Sequence, residues 1–345
     1  MPSVESVAMV PSDLPTDLNA FLDRFGSEDQ CRDHLFALKW PDGFRCRCGA
    51  ECCYRLKSRL AYDCAACGAR QALLAGTIFE QTKSPLRYWF RAIYFFLASK
   101  GGLSALELKR HMGFKSDQTA WTWLHKLRRA MAVTGTPLEG PVEVDETFIG
   151  GPEPGKRGRG AGGKTLVAGA VEVRHVPLTA PDREALRGAA LAKAQALAAR
   201  LAADPMVRRR CLARARLGIV DAASAEALGD FIDAAVAADA AISTDGWKAY
   251  LKGSRGRPHN RIVVSSADGA AHDHLPAVHL LFTLLKRVLG GTYHGGIGRH
   301  LSAYLDEFIY RFNRKSLPPA RNALGVIVRA MTTKPFTNQM ILARN

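Results

Sequence analysis

Seven of the eight cysteines lie within the first fifth of this 345-residue chain, and only Cys211 lies beyond it. Thiols crowded into one short segment are typical of metal binding, whereas disulfide frameworks belong mainly to small secreted domains. The segment also contains few large apolar residues, so it needs a cross-link to hold a fold. Because the chain is long enough for two or three domains, we expect a small metal-stabilised module followed by larger domains.

The clearest part of this segment is the pair Cys64 and Cys67. Two residues between these cysteines let both thiolates bind one tetrahedral zinc ion. The upstream pair, Cys46 and Cys48, has only one intervening residue, which leaves its ligand role open. Two neighbouring thiols offer a substitute pair: Cys52 and Cys53. We predict one structural zinc ion held by Cys46, Cys48, Cys64 and Cys67. The alternative is a buried thiol cluster without a metal.

The chain carries a large positive charge, because 48 Lys and Arg residues outnumber 32 Asp and Glu residues to give a net charge of +16. An acidic surplus would serve solubility better, so the basic surplus favours nucleic acid as partner. The N-terminus has no basic region followed by an apolar run, and no stretch of about 18 apolar residues occurs. We therefore expect a cytoplasmic protein without a membrane partner.

A short helix, a glycine turn and a longer helix are predicted in the first half of the chain. Ser104 and Glu107 have the spacing of a capping box, and Gly113 turns the chain before the longer helix. This order is typical of a helix-turn-helix. The candidate DNA-contacting residues are Gln118, Thr119 and Thr122 for bases, and Lys126 and Arg128 for phosphates. An ordinary helical hairpin packed by Trp121, Trp123 and Leu127 is the alternative.

The second half of the chain alternates strands with helices, a pattern that predicts an α/β core. Strands are predicted at 142–149, 166–173, 217–220 and 241–244, and a helix is predicted at 223–236. A glycine-rich loop between the first two strands carries three cations, Lys156, Arg157 and Arg159. We expect these cations to hold the DNA backbone.

Two acidic residues stand where an α/β sheet builds its active site. Asp145 lies within the first predicted strand and Asp245 directly follows the last one. Two such carboxylates can hold hard divalent cations such as Mg²⁺. In a helix downstream, His279 and Lys286 are seven residues apart and therefore share one face. Each residue alone could have an ordinary structural role, and only their combination indicates a site.

Eight motifs in a fixed order cover most of the chain. They are Trp40-Pro41-Asp42-Gly43-Phe44, Gly76-Thr77-Ile78-Phe79, Leu103–Arg110, Val142–Gly151, Thr244-Asp245-Gly246-Trp247, Leu284–Arg287, Gly291–His294 and Tyr304–Arg314. In these motifs the chain resembles transposases of the IS1595 type, which carry an ISXO2-like catalytic domain. The motifs in this order are more specific than any one of them alone.

The resemblance implies a ribonuclease-H-like core with a mixed sheet and the acid triad and lysine of DDE-type recombinases. By position, Asp145 would be the first acid and Asp245 the second. His279 would stand in the third place, where Glu is usual, and Lys286 would be the trailing lysine. Mg²⁺ or Mn²⁺ would be the catalytic cofactor. Glu307, in a C-terminal helix, is a reserve candidate for an acidic role.

The predicted organisation is multidomain. The segments are N-terminal helices at 1–40, a zinc ribbon at 41–80, a helix-turn-helix region at 81–135, a catalytic domain at 136–315 with a candidate insertion at 175–212, and a C-terminal tail at 316–345. The shortened Cys46–Cys48 pair and the candidate insertion depart from the family pattern.

These features predict an insertion-sequence transposase that binds terminal inverted repeats in double-stranded DNA. It would cleave and join strands by two-metal phosphoryl transfer. Bringing two DNA ends together implies a homodimer or a larger synaptic oligomer, acting in the bacterial cytoplasm at the nucleoid. The alternatives are a DNA-binding regulator, an inactive domesticated or decayed transposase, and a plain nuclease of the same fold.

Overall fold

The computed structural model describes residues 14–132, 135–150, 164–177, 208–263, 274–293 and 298–342. The chain divides into two compact units. The first unit contains Met1–Gly135 and Val288–Asn345, and the second unit contains Thr136–Arg287. The end of the segment predicted as catalytic domain and the segment predicted as a tail therefore pack with the N-terminal part of the chain.

Helices and strands are numbered along the described residues. They are α1 (Leu18–Phe25), α2 (Glu28–Lys39), β1 (Cys53–Arg55), β2 (Ala61–Cys64), β3 (Arg70–Ala72), α3 (Leu86–Ala98), α4 (Ala105–Met112), α5 (Asp117–Met131), β4 (Pro141–Ile149), β5 (Thr165–Pro177), β6 (Arg208–Val220), α6 (Ala225–Ala235), β7 (Ala241–Thr244), α7 (Ala249–Gly253), β8 (His259–Arg261), α8 (Pro276–Thr292), α9 (Leu301–Asn313), α10 (Pro319–Thr332) and α11 (Asn338–Leu342). None of the described helices has both the length and the apolar character needed to cross a membrane.

Helix α3 lies at the centre of the first unit's core. Its Trp89 stacks on Trp123 of α5, with ring centroids 3.5 Å apart and planes 5° from parallel. Helix α1 contributes Phe21 to the same buried cluster, and α10 contributes Ala323 and Ile327. The C-terminal segment is thus an integral part of this core, because its helix buries apolar side chains against the N-terminal helices.

Helices α4 and α5 form the predicted short helix, turn and longer helix. The capping box is present, since Ser104 Oγ accepts the Glu107 N–H at 3.2 Å and Glu107 Oε2 accepts the Ser104 N–H at 3.0 Å. Gly113 ends α4 with φ +66°, a left-handed conformation that favours glycine. Lys109 and Asp117 form an ion pair of 2.8 Å across the turn. The helical pair is confirmed, and its contact with DNA stays a prediction.

A buried ion-pair network joins α5 to α9 in the first unit. Arg128 and Glu307 are only 1% and 2% exposed, and Arg128 Nε donates to Glu307 Oε2 at 2.9 Å. Arg311 Nε donates to the other carboxylate oxygen at 2.9 Å, and Tyr293 Oη also hydrogen-bonds to the carboxylate. Burial raises the pKa of Glu307, but the two guanidinium charges outweigh burial and hold that pKa below its ordinary value.

This network corrects two expectations drawn from the sequence. The sequence predicts that Arg128 contacts DNA phosphates, but its guanidinium is enclosed and lies 4.2 Å from the centre of the Tyr304 ring. Glu307 is the reserve candidate for a catalytic acid, but two arginines neutralise its carboxylate. Both side chains stabilise the first unit instead, since a buried charge needs a charged partner.

The second unit is built on a five-stranded sheet with strand order β6-β5-β4-β7-β8. Strands β4, β5 and β6 pair antiparallel, whereas β7 and β8 run parallel to β4 on its other side. The predicted mixed sheet is confirmed. Strand β6 begins earlier than predicted. The sequence did not indicate this first part because arginines alternate with small residues there: Ala215 is buried, while Arg214 and Arg216 hydrogen-bond to the backbone carbonyl of Thr136.

Strand β4 sends alternate side chains to opposite faces of this sheet. Val144 belongs to the apolar cluster that α6 covers on one face. Glu143 and Asp145 lie on the other face, where α8 packs. Phe282 of α8 lies against Gly169, the residue of β5 that pairs with Asp145. A Cβ atom at Gly169 would be 2.6 Å from the Phe282 ring, so only glycine permits this close approach.

The candidate insertion at 175–212 includes the ends of two paired strands. Strand β5 continues to Pro177 and β6 begins at Arg208, and these two residues are partners in the ladder. Residues 178–207, between them, lie outside the described residues. This segment therefore connects two strands of one antiparallel pair, whose register shifts between Val171 and Val173.

Loss of the buried carboxylate should destabilise the first unit. Glu307→Gln leaves Arg128 and Arg311 without a counter-charge, so the free energy of unfolding should fall by about 3–5 kcal/mol. The matched control is Glu51→Gln, which breaks an ion pair with Arg45 whose side chains are both 70% exposed. This control should cost less than about 1 kcal/mol.

Urea unfolding followed by tryptophan fluorescence measures both variants, since four of the five tryptophans lie in the first unit. Equal stability of Glu307→Gln and Glu51→Gln would contradict the role assigned to the network.

Candidate functional site

Four thiols of the first unit meet at one point. Their sulfur atoms all lie within 4.8 Å of one another, and the residues are Cys46, Cys48, Cys64 and Cys67. Two of the sulfur–sulfur distances are 3.6 Å. Tetrahedral zinc with bonds of about 2.3 Å places its sulfurs about 3.8 Å apart. A hydrogen bond from the Cys67 N–H is the largest cause that lowers the pKa of Cys64, to about 6, which favours the thiolate that a metal needs.

The shortened pair reaches the cluster because a tight turn follows it. Gly49 has φ +88°, and its N–H donates to the Cys46 carbonyl at 2.9 Å. This turn lets Cys46 and Cys48 approach the other pair although only one residue separates them. The substitute thiols Cys52 and Cys53 lie outside the cluster. The four-cysteine cluster therefore supports a structural zinc ion in this ribbon.

Arg32 fixes the zinc-binding segment to helix α2. Its side chain is 4% exposed, and the guanidinium donates to Tyr62 Oη at 3.1 Å and to the carbonyls of Leu56 and Ala61, both at 2.9 Å. A buried guanidinium needs such partners because its desolvation is costly. The sequence alone does not single out Arg32, because an arginine on an amphipathic helix is ordinarily exposed.

The first turns of α5 present polar side chains on their outer surface. Gln118 and Thr119 are exposed, and Gln118 Nε2 donates to Thr122 Oγ1 at 3.4 Å. Lys126 is half-buried, and this burial lowers its pKa. Such a surface is suited to hydrogen bonds with base edges in a DNA groove. The predicted contacts with DNA remain proposals. The other predicted DNA-contacting residues lie outside the described residues: Lys156, Arg157 and Arg159.

In the second unit, Asp145 and Asp245 occupy matching positions on two neighbouring parallel strands. Glu143 of β4 pairs with Ser243 of β7, and each aspartate lies two residues farther along the chain. Asp145 is 8% exposed, and Asp245 Oδ1 accepts the Trp247 N–H at 3.0 Å. Asp245 directly follows β7, and Asp145 lies level with it in the middle of β4, just beyond the parallel pairing of these strands. The carboxyl end of a parallel strand is where α/β sheets place ligands.

A buried phenol lies close to both aspartates. Tyr250 Oη donates to Glu146 Oε2 at 2.6 Å. The pKa of Tyr250 is raised well above its ordinary value by burial, and further by the charges of Glu146 and of the two aspartates. Three carboxylates therefore act on one hydroxyl group. The sequence does not predict Glu146 and Tyr250 as site residues, and the one signal for Glu146 is its position beside Asp145.

Helix α8 brings His279 to the first of these aspartates. His279 Nε2 lies 3.6 Å from Asp145 Oδ2. Lys286 is exposed about two turns farther along α8, and helical spacing puts it on the same face as His279. Within the described parts of the chain, only the four cysteines gather three or more ligand atoms within 4.8 Å of one another. Asp245 therefore does not form an equally tight group with Asp145 and His279.

Comparisons with known proteins assign both regions to transposon-encoded families. Residues 26–70 match the transposase zinc-ribbon domain, and residues 137–313 match the ISXO2-like transposase domain. A protein of Halobacterium salinarum, described as an uncharacterized protein in transposable element ISH50, is 29% identical over 129 residues. That alignment covers 36% of this chain and 43% of the relative, so the chain spans less than half of the relative's length. Since the match at 137–313 covers more than half of its residues, this chain belongs to the family of insertion-sequence transposases that carry the ISXO2-like transposase domain.

Proposed function

We propose that this chain is a DDE-type transposase that binds the terminal inverted repeats of its element, cleaves a DNA strand and joins it to target DNA. The matching placement of Asp145 and Asp245 on parallel strands carries the proposal, together with His279 at 3.6 Å from Asp145. The sheet supports a ribonuclease-H-like core, because three antiparallel strands are followed by two strands parallel to the first. A fold alone does not specify a reaction, so the proposed chemistry rests on the two aspartates.

The donor groups at this site fit a divalent metal ion. The carboxylate oxygens of Asp145 and Asp245 suit Mg²⁺ or Mn²⁺, and the imidazole of His279 adds a nitrogen donor. Ions bound there would supply the positive charge that phosphoryl transfer requires. Glu146 and both aspartates raise the pKa of Tyr250, so their three carboxylates lie near one buried hydroxyl group.

The residues of the second unit would bind and orient the DNA strand. The carboxylates repel a phosphodiester, so DNA can approach them closely only when cations neutralise their charge. Lys286, exposed on α8, would bind a phosphate near the reacting group. His279 would orient Asp145 through their 3.6 Å contact as well as provide a ligand.

The first unit would recognise the element ends. The zinc ribbon and the α4–α5 pair would lie on the inverted repeat, with polar side chains at the start of α5 reading base edges. The residues of this unit proposed for bases are Gln118, Thr119 and Thr122, and Lys126 is proposed for phosphates. Three cations of the second unit are also proposed for phosphates: Lys156, Arg157 and Arg159. Because two ends must be joined, the active form would be a homodimer or a larger synaptic complex.

A DNA-binding regulator accounts for fewer of these observations. Such a protein has no use for two aspartates at one sheet edge, and Asp145 is only 8% exposed. Burying a carboxylate costs free energy, so this placement favours a role in binding a cation.

Loss of one clustered thiol should remove the zinc ion. Wild-type protein purified without chelator should contain about one zinc per chain, and Cys64→Ser should lose it because a tetrahedral site needs all four ligands. Cys52→Ser is the matched control from the same ribbon, since its exposed thiol lies outside the cluster. Elemental analysis by mass spectrometry measures zinc content. Zinc-free wild-type protein, or zinc lost from Cys52→Ser and kept in Cys64→Ser, would contradict the ligand assignment.

Substitution at the start of α5 should reduce sequence discrimination. Gln118→Ala should lower the preference for element-end duplex over random duplex by about 10-fold, as expected for one lost base contact. Lys115→Ala, a contrasting variant in the turn before α5, should weaken binding to both duplexes equally, because a cation contacts phosphates. Fluorescence anisotropy at several salt concentrations measures both affinities. Unchanged discrimination in Gln118→Ala would count against base reading by this residue.

Removal of one negative charge from the proposed metal site should abolish chemistry. Asp145→Asn and Asp245→Asn should each lower the rate of end cleavage by at least about 100-fold, since phosphoryl transfer depends on electrostatic positioning. Affinity for element-end DNA should change by less than about 3-fold, because recognition lies in the first unit.

The matched control for these variants is Asp239→Asn, at an exposed position shortly before β7. It should cleave at the wild-type rate. Gel assays with labelled element ends in Mg²⁺ provide the measurement. Wild-type cleavage by either Asp145→Asn or Asp245→Asn would overturn the catalytic assignment.

A further inference from the structure

Within the part of the chain that the structure describes, the residue at the N-cap position of α8 is apolar. Pro276 begins the helix and has no N–H, and the Leu275 carbonyl accepts the first intrahelical hydrogen bond, from the His279 N–H at 3.2 Å. Leu275 therefore holds the N-cap position, where Ser, Thr, Asp or Asn would ordinarily accept the next N–H groups. Its apolar side chain cannot do so. The N–H groups of Ala277 and Val278 need an acceptor from elsewhere.

Glu143 of β4 is that acceptor. Its Oε2 accepts the N–H of Ala277 at 2.7 Å and the N–H of Val278 at 3.0 Å. The Glu143 side chain is buried, at 2% exposure, and a carboxylate is favoured at the positive end of a helix dipole. Glu143 sits in the middle of the sheet, paired with Val171 on one side and Ser243 on the other. The cap is therefore anchored to the central strand of the five-stranded sheet.

This contact lies beside the proposed active site. Glu143 and Asp145 are alternate residues of β4 and share one face. His279 directly follows the two residues whose N–H groups Glu143 holds, and its imidazole lies 3.6 Å from Asp145. We infer that Glu143 is a positioning residue: it locks the first turn of α8 to β4 and so fixes His279 opposite Asp145. This inference rests on the proposed function of the second unit.

Apolar packing holds α8 on the sheet, and the two first-turn residues whose N–H groups Glu143 accepts are buried as well. Leu281 and Leu285 are buried, and Phe282 packs against Gly169. Such contacts are non-directional and tolerate small rotations of a helix. The two hydrogen bonds that Glu143 accepts are directional, and the second comes from Val278, the residue before His279. Loss of Glu143 should therefore leave α8 packed while the imidazole loses its fixed place.

Two substitutions separate positioning by hydrogen bonds from direct binding of a metal. Glu143→Gln keeps an oxygen that can accept both N–H groups, so its kcat for end cleavage should stay within about 5-fold of wild type. Glu143→Ala removes the acceptor and should lower kcat by about 10–100-fold, as when a residue that orients a metal ligand is lost. DNA affinity and KM should be unchanged in both. If Glu143 instead bound the metal, Glu143→Gln would fail as severely as Asp145→Asn.

A double-mutant cycle tests whether Glu143 acts through His279. Glu143→Ala should lower kcat by less than about 3-fold in a His279→Ala background, because the group that it positions is already gone. The matched control is Ser224→Ala, which removes the cap of α6, where Ser224 Oγ accepts the Ala227 N–H at 3.1 Å. This control should lower the melting temperature without changing kcat. Additive losses of kcat in the cycle would overturn the inference.

Binding of Mn²⁺ alone, measured by electron paramagnetic resonance, provides a readout that does not require turnover. Affinity should fall by about 10-fold or more in Glu143→Ala and stay near wild type in Glu143→Gln. Should wild type bind Mn²⁺ without cleaving DNA, the proposed function fails while this comparison still tests the inference. Wild-type Mn²⁺ affinity in a folded Glu143→Ala variant would overturn it.

Discussion

The central strand β4 is the element on which the arrangement of the second unit depends. Its alternating side chains send Val144 into the apolar cluster under α6 and turn Glu143 and Asp145 toward α8. Its parallel pairing with β7 puts Asp245 at the matching position of the next strand. A slip of one residue in this pairing would exchange the two faces, turning the carboxylates toward α6 and the valines toward α8. The sheet register therefore fixes the site and the core together.

In the first unit, buried charged groups are matched with charged or hydrogen-bonding partners. Glu307 lies between two arginines, and Arg32 donates hydrogen bonds to three groups of the ribbon. The ribbon has a small apolar core, and four clustered thiols supply the cross-link that this core lacks. Charged groups thus help to hold this unit together. Each buried charge needs a specific partner, which an apolar side chain at the same position would not need.

Local chemistry accounts for what could be predicted from the sequence. The capping box at Ser104 and the glycine turn at Gly113 depend on neighbours within a few residues, and both are present in the structure. The strand predicted at 241–244 has the observed bounds because an apolar alternation is followed by a turn. The pair Cys64 and Cys67 was predictable because thiols at this spacing are typical of tetrahedral zinc sites, whereas the spacing of Cys46 and Cys48 left their part in the cluster open.

What could not be predicted depends on partners far away in the chain. Arg128 looks like an exposed cation on a recognition helix, and its partner Glu307 lies 179 residues later. The role of Glu143 as cap of α8 spans 134 residues, so no local pattern indicates it. The hydrogen bond between Tyr250 and Glu146 spans 104 residues. In each case the residue type is plain from the sequence, but tertiary packing sets its environment.

We propose that the second unit uses its aspartates to cut and join DNA. A strand-transfer assay with purified protein, labelled element ends and a target plasmid tests it most directly, run in Mg²⁺ and again with chelator. We expect cleaved ends and covalently joined products in Mg²⁺, and neither with chelator. Specific binding of the ends without cleavage in Mg²⁺ or Mn²⁺ would contradict the claim and identify the chain as a DNA-binding protein without catalysis.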